Sequence, residues 1–297
     1  MKIDELTKKY KQYLNFNHNL SSYTWFGVGG IADILFTPEN IDQAISFIKE
    51  KPKDLSIFTI GAGSNILIRD SGIRGVSLIT KKLNCISIDD EGIITAETGA
   101  IDMQVARFAR ENERSGLEFL VGIPGTIGGG IRMNSGAFGS EFKDILIDVK
   151  AINLSGEEKI FTLNDLQMNY RHINLDDDWF FCKARFRTSK GVKSNIQSKM
   201  KNIIELRKKA QPTGSKTGGS TFMNTPNYKA WELIEKAGCR GLQVGDAMVS
   251  EKHCNFIINK KNSTAEEIEQ LGDLIKEKVK ISSGITLNWE IKKVGLK

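Results

Sequence analysis

No apolar run in the 297 residues approaches the roughly 20 residues that a bilayer-crossing helix needs, so membrane insertion is not expected. Residues 1–10 are charged and polar and lack the apolar core of a signal peptide, which points to a cytoplasmic protein. The four cysteines, Cys85, Cys182, Cys239 and Cys254, are far apart and form no CxxC pair. That spacing carries neither a zinc signature nor a redox dithiol, so the cysteines read as buried thiols and no metal is expected. The net charge of +6 comes with no helix-turn-helix, RNA-recognition or zinc-finger pattern, and the lysines are dispersed rather than clustered. Nucleic acid is therefore not an expected partner. There is no GxSxG elbow, no internal repeat and no low-complexity tract, and no obligate protein partner is indicated.

What is present is an ordinary globular composition, 40% hydrophobic and 26% charged, in a chain long enough for two or three compact parts. Residues 37–51 carry Ile41, Ala44, Ile45 and Ile48 at helical spacing, and residues 55–60 read as a short buried strand running into a glycine turn. Residues 85–89 and 92–96 flank an Asp-Asp-Glu-Gly turn and read as a β-hairpin, followed by helical periodicity over 101–113. A second hairpin is expected around Ser155-Gly156 and a further strand over 179–187. From Ser194, read as an N-cap, a helix runs to the boundary near residues 211–214. Beyond it, residues 227–237 are amphipathic, Thr264 to Glu267 forms a capping box, and residues 285–294 read as a strand. The pattern implies an α+β fold with a largely antiparallel sheet, a large glycine-punctuated region to about residue 195 and a smaller domain after it.

Gly27-Val-Gly-Gly-Ile-Ala32 fits the dinucleotide fingerprint GxGxxA, but a strand-like run, Asp33-Ile-Leu-Phe36, follows where that fingerprint requires a helix. Two other loops suit an anion better. Gly61, Ala62, Gly63, Ser64 and Asn65 follow the strand ending at Ile60, and Gly122, Ile123, Pro124, Gly125 and Thr126 lead through Gly128 to Asn134, Gly136 and Ala137. Glycines let the main chain approach a diphosphate and offer it amide donors, and a helix starting at residues 128–130 would direct its positive end at the phosphate. A third cluster surrounds Ser220, and two isolated charges, Arg171 and Glu290, complete the candidates. The residues alone do not connect these three: a surface turn or helix cap accounts for Ser220 as well as catalysis does, and a solvated surface position is the plainer reading of Arg171 and of Glu290.

Taken in order, the motifs resemble the UDP-N-acetylenolpyruvoylglucosamine reductase family over almost the whole chain. They are Thr24-Trp-Phe-Gly-Val-Gly-Gly30, the Gly61 loop, Gly116-Leu-Glu-Phe through Gly139, Tyr170-Arg171, Gly218-Gly-Ser-Thr-Phe222, Gly238-Cys-Arg-Gly-Leu-Gln-Val-Gly245, Val249-Ser250, residues 253–259 and Gly284-Ile-Thr-Leu-Asn-Trp-Glu290. The resemblance implies a vanillyl-alcohol-oxidase/p-cresol-methylhydroxylase type FAD-binding fold, with flavin subdomains over 1–80 and 81–195 and a smaller α+β substrate domain over 196–297. It implies FAD as cofactor, NADPH as hydride donor and UDP-N-acetylglucosamine enolpyruvate as substrate. It also places FAD on the two glycine loops, Arg171, Ser220 and Glu290 in catalysis, and Asn224 against the nucleotide. The short run from Arg171 to Ser220 resembles the subclass without a tyrosine-bearing loop. Met223 and Thr225 depart from the family's Phe-Lys-Asn-Pro, so a phosphate contact is not expected there.

The chemistry agrees with those roles. Hydride added to an enolpyruvyl ether pushes charge toward its carboxylate, where an arginine and a protonated acid stabilise it and a serine hydroxyl supplies the proton. A flavin oxidase of the same fold would need the glycine loops without Ser220 or Glu290, and a simple nucleotide-binding module would be colourless.

Overall fold

The computed structural model describes residues 2–297. Two compact units account for them. One contains the chain up to Phe16, Ile34–Ala62 and Gly75–Leu206; the other contains Asn17–Asp33, Gly63–Arg74 and Arg207–Lys297. The chain passes between them inside the strands Leu14–Asn19, Ile31–Phe36 and Ile73–Ile79, within the loop at residues 62 and 63, and near the end of the helix Lys193–Ala210.

In the first unit a five-stranded antiparallel sheet has the order Glu158–Thr162, Leu146–Asn153, Trp179–Phe186, Ile94–Glu97, Ile86–Ile88. The expected hairpins and the strand over 179–187 are all in it. The first hairpin forms because Asp89 accepts the N–H groups of Glu91 and Ile93 through its side chain, while Gly92 turns the chain at φ +82°. Apolar residues on one face, among them Val149, Phe181, Ala184 and Phe186, pack against the helices Asp102–Glu111, Ile127–Arg132 and Lys193–Ala210. The last of these helices begins one residue ahead of Ser194, which therefore lies inside it rather than capping it. A second core gathers Phe36, Phe47, Val76 and Leu78 beneath the helix Ile41–Glu50, where Ile57–Ile60 runs parallel to Val76–Ile79. Phe36 stacks on Phe47 with ring centroids 4.0 Å apart.

In the second unit Lys216–Thr217, Ile257–Asn259, Ala247–Val249 and Gln243–Val244 form an antiparallel sheet. The long helix Ala265–Ser283 covers it. Thr264 and Glu267 close the capping box at its start, and Gly284 at φ +73° ends it. Ile268, Leu271, Ile275 and Val279 recur at three- and four-residue intervals and are fully buried. The closing segment differs from the sequence expectation. Strand pairing is confined to Lys292–Val294, parallel to Ile66–Ile68, with a single bridge between Phe222 and Trp289 upstream. Residues 285–291 lie instead against the segment that follows Ser220, and their partners are remote in sequence. The run Gly27 to Ala32 enters the strand Ile31–Phe36, so no helix follows it. Among the described residues no helix is long and apolar enough to cross a membrane. The cysteines are unpaired there, Cys85 exposed and Cys182, Cys239 and Cys254 buried.

Candidate active site

The loop after Ile57–Ile60 has an unusual backbone. Among the described residues none accepts the N–H groups of Gly61, Ala62, Gly63, Ser64 or Asn65, although Gly63 is buried and the other four are half-buried. Amides without a protein acceptor need another partner, and five in succession form a row of donors that can receive an anion. Gly63 has no alternative here: its φ is +65°, and a Cβ on it would overlap the Tyr23 carbonyl oxygen.

The second loop is used differently. The helix Ile127–Arg132 does begin where expected, yet its first two amides are already taken, Ile127 N–H by the Ala100 carbonyl at 2.9 Å and Gly128 N–H by Thr98 at 2.8 Å. A side chain at Gly128 would overlap the Thr98 hydroxyl. Gly125 and Thr126 keep amides without acceptors among the described residues. The first loop meets the second at Thr126, whose hydroxyl a Cβ on Gly61 would touch. Beneath Gly125 lies Asp102, wholly buried, donating its backbone N–H to the Gly125 carbonyl at 3.2 Å. Neither carboxyl oxygen has a partner among the described residues, and burial pushes its pKa well above the ordinary carboxylate value. Nothing in the sequence pattern singles this residue out. An aspartate in a first helical turn is the commonest of acids, and only its burial sets it apart.

Asn134, Gly136 and Ala137 continue this loop. Asn134 is fully buried at φ +37°. Its side chain is spent inside the protein, donating to Glu141 at 2.8 Å and to the Asn169 carbonyl at 2.9 Å and accepting from Lys143 N–H at 3.0 Å. Gly136 and Ala137 pair with Glu141 and Ser140 in a small antiparallel ribbon. Arg171 stands on the turn that Asn169 and His172 close by exchanging backbone hydrogen bonds. With φ at +55° it directs its guanidinium to the carbonyls of Asn134 and Gly136, at 3.4 and 3.5 Å, and lies 5.1 Å from the Tyr170 ring centre.

The second unit brings Ser220 and Glu290 together. Glu290 N–H donates to the carbonyl of Thr221, the residue after Ser220, at 2.9 Å. Asn65 donates its side-chain N–H to the Glu290 carbonyl at 3.2 Å and accepts Lys292 N–H on its own carbonyl at 3.0 Å. A side chain at Gly219 would reach the Ser64 carbonyl at 3.8 Å, so the serine segment, the glutamate and the end of the first glycine loop are neighbours. Buried Asn255 clasps the serine segment, accepting Phe222 N–H at 3.0 Å and donating to the Phe222 carbonyl at 2.8 Å. Its role was not legible, because its partner lies 33 positions away. Asn224 accepts Ala230 N–H at 2.9 Å, and Met223 bonds the Asn288 carbonyl through its backbone while Thr225 closes a turn with Tyr228. Of the two departures from the family motif, only Thr225 uses its side chain in a recorded bond, at the turn with Tyr228.

The amide run at residues 61–65 offers the donors that the diphosphate of FAD needs, and its end adjoins the Ser220 segment and Glu290. Fold and loops define the class of the protein as an FAD-binding flavoprotein oxidoreductase, and residues 32–162 match the FAD binding domain family. Residues 211–294 match the C-terminal domain of UDP-N-acetylenolpyruvoylglucosamine reductase. The enzyme of that name from Rickettsia bellii is 46% identical over 280 residues, covering 94% of this chain and 93% of that one. Its counterpart from a Bradyrhizobium species is 47% identical over 282 residues, covering 95% and 92%. The crystal structure of the Thermus caldophilus enzyme superposes with a TM-score of 0.81 at 29% identity, over 94% of this chain and 98% of the other. The chain belongs to the UDP-N-acetylenolpyruvoylglucosamine reductase family.

Proposed function

We propose that the chain reduces UDP-N-acetylglucosamine enolpyruvate to UDP-N-acetylmuramate with NADPH, in the cytoplasm, for peptidoglycan precursor synthesis. Family membership supports the reaction, and the pairing of the Ser220 segment with Glu290 beside Asn65 is the observation that carries the assignment of its residues. Residues 1–80 and 81–195 are read as the flavin-binding part and 196–297 as the substrate domain, in keeping with the regions the two families match. Between Arg171 and Ser220 the chain is filled largely by Trp179–Phe186 and Lys193–Ala210, which supports the subclass without a tyrosine loop.

The glycine loops at residues 61–65 and 122–137 would hold FAD, which when bound would supply to the terminal carbon of the enolpyruvyl group a hydride drawn from NADPH. The electron pair left on the adjacent carbon spreads into the carboxylate. Arg171 pairs with that carboxylate through its guanidinium, and Glu290, in its acid form, donates a hydrogen bond to the same developing charge. Ser220 passes its hydroxyl proton to the carbon, so that one hydride and one proton have added across the double bond. Asn224 contacts the nucleotide. Ser220→Ala is expected to leave flavin reduction by NADPH intact while slowing reoxidation by the enolpyruvyl nucleotide by about 10²- to 10⁴-fold. Undiminished reoxidation, followed by anaerobic stopped-flow absorbance, would remove Ser220 as proton donor.

A further inference from the structure

Asn134 was expected to contact the flavin, but every hydrogen-bonding position of its carboxamide that the structure records is turned inward. Both donated bonds and the accepted one tie residues 141, 143 and 169 to a single buried point. The tie to the Asn169 carbonyl holds one end of the four-residue turn that carries Arg171, and the Asn134 carbonyl itself accepts from the Arg171 guanidinium. Asn134 thus grips Arg171 twice, through the turn beneath it and through the charged group at its tip. Its own φ of +37° turns that carbonyl where it stands, in a region asparagine tolerates better than most side chains. Arg171, at φ +55°, needs such support, because a non-glycine residue in this region is held there by its surroundings. The whole residue is buried, and each recorded bond of its carboxamide goes to the protein.

We propose that Asn134 is the positioning residue for Arg171, setting the guanidinium for the substrate carboxylate, and that it makes no contact with FAD. The inference rests on the role assigned to Arg171 above. Asn134→Asp keeps the shape and the acceptor for Lys143 N–H but turns the donor aimed at Asn169 and Glu141 into an acceptor. Asn134→Gly keeps the positive φ and removes the carboxamide, so the two variants fail in different ways if folding is at issue.

The test follows both half-reactions anaerobically and titrates FAD into the deflavinated protein. In either variant, reoxidation by the enolpyruvyl nucleotide is expected to slow roughly 100-fold, the cost of misplacing a reacting group by about 1 Å. Reduction by NADPH and the FAD dissociation constant stay within twofold of wild type. On an Arg171→Ala background the same change at Asn134 costs less than twofold, because a residue acting through another has nothing left to position; a general structural lesion would add its full cost. Reoxidation within threefold of wild type, a tenfold weaker FAD, or full additivity with Arg171→Ala overturns the proposal. A wild-type protein that does not respond to the enolpyruvyl nucleotide overturns the substrate reading and this inference with it.

Discussion

Residues 61–65 and 122–130 look alike as sequence, short glycine-rich runs that follow apolar segments, yet their backbones are spent in different ways. In the first, five consecutive amides have no acceptor among the described residues. In the second, the helix that follows has its leading amides bonded to the carbonyls of Ala100 and Thr98, and the glycines admit close approach of neighbouring side chains. We propose that the first loop leaves its amides to a ligand, whereas Gly128 in the second admits the Thr98 hydroxyl. Composition does not separate these uses; the destination of each N–H does.

The widest gap between the loops should appear on adding one methyl group to each. Gly63→Ala forces the backbone off the Tyr23 carbonyl and turns the Ser64 and Asn65 amides away. Losing one or two charge-assisted bonds to a diphosphate costs about 3 kcal/mol, so FAD should bind roughly a hundredfold more weakly, measured by flavin fluorescence on titration. Gly128→Ala drives a methyl into the Thr98 hydroxyl. That is overpacking, expected to cost about 1–3 kcal/mol in urea unfolding while FAD affinity of the folded protein stays within threefold. Thr98→Ala added to it removes the obstacle and should restore most of that loss. Equal loss of FAD in both single variants would erase the distinction.

A smaller effect should come from Asp102 under the second loop. Its folded pKa lies well above 3.8, so above that value the folded chain holds a proton that the unfolded chain has released. Stability then falls as pH rises, with a slope of up to about 1.4 kcal/mol per pH unit until the buried acid ionises. Asp102→Asn cannot ionise and should flatten this slope, seen as a melting temperature less dependent on pH. An unchanged slope would mean that the carboxyl is ionised in place.

The hairpins, the capping box at Thr264, the helix over 193–210 and the strand that spoils the fingerprint at Gly27 were legible, because turn chemistry and periodicity are local. The first glycine loop was read from glycines that follow a strand, and the three catalytic candidates were connected only through the ordered motifs. What stayed hidden depends on partners remote in sequence. Residues 285–291 alternate like a strand but find their neighbours at residues 65 and 221–223. Asn255 is an unremarkable polar residue until Phe222 lies against it, and Asn134 reads as one more member of a glycine loop until its carboxamide is traced to Asn169. The segments 17–33 and 63–74 fold with the carboxy-terminal part of the chain through contacts that no window of sequence contains.

The most direct measurement is anaerobic stopped-flow spectroscopy of the purified holoenzyme, first reduced by NADPH and then mixed with UDP-N-acetylglucosamine enolpyruvate. Rapid return of the oxidised flavin spectrum, absent with UDP-N-acetylglucosamine alone, is the expected result. A flavin that stays reduced until oxygen is admitted would contradict the reductase reading and point to an oxidase built on the same fold.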